Sequence, residues 1–115
     1  MKKLSAFLLL LALAASCSKK QNPNDLSNID CSSINAKYAA DIKPIMSASC
    51  IYSGCHEAGS SRGDFTAYAG LKAVADKGSL ESKVIKDQSM PPSGPCSLDN
   101  RKQIQCWINA GAPNN

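Results

Sequence analysis

The sequence predicts a small all-α domain carried behind an N-terminal export segment. Beyond about residue 31 the apolar residues recur at spacings of three and four and show no strand-like alternation. Helix-capping residues and glycine terminators bracket those periodic stretches. With 115 residues, 43% of them hydrophobic and 5% aromatic, the chain can bury one modest core.

The chain opens with Met1, Lys2 and Lys3, followed by an apolar run from Leu4 to Ala15 broken only by Ser5. A basic start, an apolar stretch and small residues before Cys17 form an export signal. The run is shorter than the roughly 20 apolar residues a membrane-spanning helix needs. Ala14-Ala15-Ser16-Cys17 resembles a bacterial lipobox, which implies cleavage after residue 16 and lipid on Cys17; Leu13 lies one place earlier than the leucine of the commonest pattern. Plain secretion is the runner-up. Residues 1–16 are therefore expected to be a lipoprotein signal peptide, residues 17–30 a lipidated N-terminus and solvated linker, and residues 31–115 the folded domain. Several acyl chains, at about 0.8 kcal/mol per buried methylene, make such an anchor effectively permanent. The expected location is extracytoplasmic, on a bacterial membrane.

The formal charge of +4 rests on Lys2, Lys3, Lys19 and Lys20; without them nine basic residues face nine acidic ones. A neutral domain with few aromatics argues against nucleic acid as a partner, because that binding needs a basic patch. Lys72, Lys77, Lys83 and Lys86 interleave with Asp76, Glu81 and Asp87, which is the pattern of a solvated face.

A first helix is expected from Asp41 as N-cap, with Pro44 in its first turn and Ile42, Ile45 and Met46 on one face, running into Cys50. A second takes Thr66 as N-cap, places Tyr68, Leu71 and Ala75 on one stripe and stops at Gly78; Ser79 then caps a short helix with Leu80 and Val84. Three prolines forbid helix across Met90-Pro91-Pro92-Ser93-Gly94-Pro95. The last helix has Ser97 as N-cap, Asp99 in its first turn, Ile104, Trp107 and Ile108 on one face, and Gly111 as terminator.

Chemistry concentrates in Cys50-Ile51-Tyr52-Ser53-Gly54-Cys55-His56. This C-x4-C-H pattern is the common haem-attachment pattern C-x-x-C-H with two residues inserted. Two thiols reach the vinyl groups along one edge of a porphyrin, and the adjacent imidazole bonds the iron. The extra residues must bulge outward, and Ser53-Gly54 suits this because glycine accepts positive φ. His56 is the only histidine, so a thioether is the next axial ligand to seek. Met90, 34 positions beyond His56 in a proline-stiffened loop, is assigned that role. Met46, on the Ile42 stripe, reads as a core residue. Arg62 is a candidate partner for a haem propionate, although a loop arginine is more often merely solvated.

Asp41 to Met46, the Cys-His motif, Gly63-Asp64-Phe65, Tyr68 to Leu71, Met90-Pro91-Pro92 and Cys106 to Ala112 together resemble a bacterial mono-haem c-type cytochrome domain family. The resemblance covers about residues 38 to 113. It implies a helical domain wrapped around one covalent haem c, with Cys50 and Cys55 as thioether residues, His56 as proximal ligand and Met90 as distal ligand. The implied function is single-electron transfer to and from redox partner proteins, without catalysis. The four-residue gap departs from the family pattern.

Cys31, Cys96 and Cys106 remain, an odd set for an oxidising compartment. A straight helix from Leu98 holds Cys96 and Cys106 roughly 12 Å or more apart, beyond the disulfide reach of about 7 Å. Cys31 is therefore the shared partner, and Cys31 with Cys106 is preferred because Cys106 lies off the Ile104/Ile108 face. The alternative from another class is a disulfide-stapled secreted binding module without haem, colourless and with no role for Met90. A haem enzyme or sensor with a displaceable Met90 is a further rival. Zinc on Cys50, Cys55 and His56 lacks a fourth ligand.

Overall fold

A computed structural model describes residues 22–115; the signal peptide and Cys17 lie outside the described residues. These residues form α1 (Lys43–Ser49), α2 (Tyr68–Asp76) and α3 (Leu98–Asn109), with π-helical turns at Tyr38–Ile42 and Glu81–Lys86. No strand occurs among the described residues, and none of their helices is long and apolar enough to cross a membrane.

Helicity begins at Tyr38, three residues before the expected Asp41 cap. Lys37, in extended conformation, is the N-cap, and the Asp41 carboxylate reaches back to accept its N–H at 2.8 Å. The π-helical turn has a local cause in Pro44, which lacks an N–H and crowds the carbonyl four residues earlier; a wider turn relieves both conflicts. Thr66 is likewise displaced as a cap, since Ala67 precedes α2 and Thr66 instead bonds the Asp64 carboxylate. Ser79 does not cap the following turn, because that run continues through Leu80 with no side-chain cap. Only α3 begins as expected, with the Ser97 hydroxyl accepting the Asn100 N–H at 3.2 Å.

α3 packs against both π-helical turns and is the spine of the core. Ile104 and Trp107 are fully buried, as are Ile42 from the first turn and Leu71 from α2. The Trp107 ring lies 6.1 Å from Tyr38, which meets Tyr68 edge-on at 5.1 Å. The C-terminal tail closes this cluster: the Trp107 indole N–H donates to the Pro113 carbonyl at 2.9 Å, and the Tyr68 hydroxyl donates to the Ala112 carbonyl at 2.8 Å.

The stretch from Asn22 to Asp30 differs from the solvated spacer that its composition suggests. Leu26 is buried, and the Asn24 side chain accepts from Arg101 of α3 at 3.0 Å. Cys31 is joined to Cys106 in α3 by a disulfide with a Cα separation of 5.6 Å. Leu26 thus joins the core cluster, and the Asn24 amide ties this polar arm to Arg101 of α3.

Candidate functional site

α1 ends at Cys50, whose N–H closes on the Met46 carbonyl at 2.8 Å. The chain then reverses in a turn closed by the Cys55 N–H on the Tyr52 carbonyl at 2.9 Å, with Gly54 at φ +78°. This turn leaves Tyr52, Ser53 and Gly54 exposed, and it places the left-handed conformation on the residue that tolerates it. The His56 N–H returns to the Cys50 carbonyl at 3.3 Å, so the motif is a closed loop despite its extra length. Arg62 braces the turn by donating from Nη1 to the Gly54 carbonyl at 3.2 Å.

His56 is oriented by the next loop. Its Nδ1 lies 2.9 Å from the Gly63 carbonyl oxygen, which can only accept, so Nδ1 is the donor and Nε2 is the ring nitrogen left outside this bond. The imidazole stacks on the Phe65 ring at 3.9 Å, with the planes 1° from parallel. The Phe65 N–H donates to the His56 carbonyl at 3.0 Å, locking the two residues together. Such a backbone acceptor behind a histidine is what fixes ring orientation and tautomer for a metal on the opposite nitrogen.

Asp64 shapes the loop by accepting the Gly59 N–H at 3.0 Å and the Thr66 N–H at 2.9 Å. The Thr66 hydroxyl bond, then the Gly59 and Thr66 backbone bonds, hold its carboxyl below the usual carboxylate range. Because the folded pKa is depressed, this support is present above the ordinary Asp value and fades as pH falls through the lower folded one.

Met90 follows the second π-helical turn, its N–H bonded to the Lys83 carbonyl at 3.1 Å and its side chain exposed. Cys50, Cys55, His56 and Met90 all line one cleft of about 890 Å³, walled by apolar side chains including Phe65, Leu80 and Val84. That size falls at the upper end of the range of roughly 300–1,000 Å³ for small-molecule and cofactor sites. Met46 is buried in the core and does not line the cleft.

Cys96, which the sequence left without a role, is a buried free thiol on the same cleft wall. Burial, then Cys96 and Cys55 nearby, push the Cys50 thiol up to about 11. Cys50 is therefore a neutral thiol over the physiological range. Lys72, Lys83 and Lys86 pair with Asp76, Asp87 and Glu81 on the surface, contacts of small energetic weight.

Among the described residues no three His, Cys, Asp or Glu side chains converge as a bare metal requires. A haem asks instead for two thiols along one macrocycle edge, an imidazole with a free Nε2 beside them, an apolar slot and a soft sulfur facing it. Cys50, Cys55, His56 and Met90, the residue types this requires, line one largely apolar cleft. No protein-family model matches the chain, and no curated protein or solved structure matches it either.

Proposed function

We propose that this chain is a mono-haem c-type cytochrome, held to a bacterial membrane by lipid on Cys17 and carrying single electrons between redox partner proteins outside the cytoplasm. The observation that carries the reading is one apolar cleft lined by Cys50, Cys55, His56 and Met90, residues drawn from two loops 34 positions apart.

Cys50 and Cys55 are the residues that would hold the macrocycle covalently, an S–H addition across each vinyl group being neutral in electrons. His56, through Nε2, and Met90, through its sulfur, are the residues that would hold the iron. Bound haem supplies a one-electron ferric/ferrous couple. With His56 and Met90 both holding the iron, no open site would be left for oxygen or peroxide, which favours electron transfer over catalysis. Methionine ligation would also raise the potential relative to bis-histidine ligation.

A pyridine haemochrome spectrum with the intact mass of purified protein tests the reading. The expected result is one covalent haem; pigment released by acid extraction, or a colourless protein, would overturn it. A colourless protein would instead favour the disulfide-stapled binding module, with which the Cys31–Cys106 bridge is compatible. Met90→Ala is expected to retain the haem and lose the methionine-to-iron charge-transfer band. An unchanged spectrum in that variant would point to a haem enzyme or sensor.

A further inference from the structure

Arg101 is the one charged side chain in the buried set, with 4% of its surface exposed, and none of the ion pairs among the described residues includes it. A buried cation without a counter-ion is costly, and Arg101 sits in the first turns of α3, where the helix dipole adds to that cost. Its hydrogen bonds go to two neutral oxygens. Nε donates to the Cys96 carbonyl at 3.1 Å and Nη2 to the Asn24 side-chain oxygen at 3.0 Å, while Nη1 is buried without a partner.

The two acceptors lie 72 positions apart in the sequence, and the disulfide from Cys31 to Cys106 reaches α3 well beyond the Cys96 end of the loop. Cys96 closes the loop that begins at Met90, and both residues line the cleft. Asn24 lies in the arm ahead of the Cys31–Cys106 disulfide. The planar fork of a guanidinium can hold two acceptors at a set separation, which a lysine ammonium cannot.

We infer that Arg101 is a positioning residue: it clamps the Cys96 end of the distal loop to the N-terminal arm and thereby holds Met90 at its station over the cleft. This inference rests on the cytochrome reading. It adds a residue that touches neither iron nor macrocycle, and it makes the arm part of the site's support.

The test uses the full-length haem-loaded protein and its affinity for added imidazole, which must displace the Met90 sulfur to bind ferric iron. Arg101→Gln is expected to bind imidazole about fivefold or more tightly, in keeping with the loss of a charge-assisted hydrogen bond, with the thioether-bound haem mass unchanged. Asn24→Ala, at an exposed position, removes only the arm half of the clamp. It is expected to move the affinity in the same direction by a smaller factor, and it decides the matter if Arg101→Gln does not fold. Arg101→Lys is expected to behave like Arg101→Gln, which a requirement for positive charge alone would not produce. Haem-loaded variants with wild-type imidazole affinity would overturn this inference and leave the cytochrome reading standing. A wild-type protein without covalent haem would remove both.

Discussion

His56 has two constraints that a free imidazole lacks: a carbonyl behind Nδ1 and an aromatic plane 3.9 Å away. Together they fix tautomer and ring plane before any metal arrives. Phe65 carries the second constraint and is itself buried at 6% exposure, so Phe65→Ala is expected to cost about 3–5 kcal/mol of stability, read from urea denaturation midpoints. Cys50 and Cys55 differ in kind despite their shared assignment. Cys50 is 7% exposed with its thiol pushed up to about 11, whereas Cys55 is partly exposed. In haem-free protein near neutral pH, iodoacetamide is expected to label Cys55 well before Cys50, with the order read by peptide mass; equal rates would contradict the buried placement. The folded state favours the protonated Cys50 thiol, so its contribution to stability is present below the ordinary thiol value of 9.0 and is lost as pH rises through about 11.

At the scale of elements, α2 matters to the site through one close approach. A Cβ on Gly70 would fall 1.8 Å from the Asp64 carbonyl oxygen, a backbone atom in the loop that orients His56. Gly70→Ala must push α2 and that loop apart, although alanine is the better helix former. The expected outcome is a clear drop in melting temperature together with tighter imidazole binding in the haem-loaded protein. The helix starts show how much of this level was legible. Ser97 was readable as a cap because its hydroxyl, Asp99 and the apolar run behind them agree. Asp41 and Thr66 also have capping chemistry, yet their oxygens are engaged elsewhere, with the Lys37 N–H and Asp64 respectively. Those engagements depend on a π-helical turn and a loop closure that no capping rule encodes.

Across the whole molecule, the Cys31–Cys106 bridge spans 75 positions and ties the arm to α3. Closing so long a loop constrains the unfolded chain, so replacing both cysteines with serine is expected to cost about 2–5 kcal/mol, measured by thermal or urea unfolding. The same variant tests the arm: if residues 22–31 pack as described, limited proteolysis is expected to cut there faster once the bridge is gone. Chain length and composition foretold a sparse core, and the buried set is correspondingly small, centred on Trp107.

The sequence by itself determined the helical class, the three-thiol remainder that made Cys31 a shared partner, and the short list of residues proposed to hold a haem. Those follow from local facts: period, adjacency of Cys55 to His56, and the lack of a second histidine. The tertiary structure alone decided that Met90 shares a cleft with the motif, that Gly63 and Phe65 orient His56, and that Cys96 and Arg101 stand beside them. The physical reason is that these are meetings between segments distant along the chain. A carbonyl oxygen or a buried guanidinium leaves no spacing pattern, since its partner is chosen by how the helices pack.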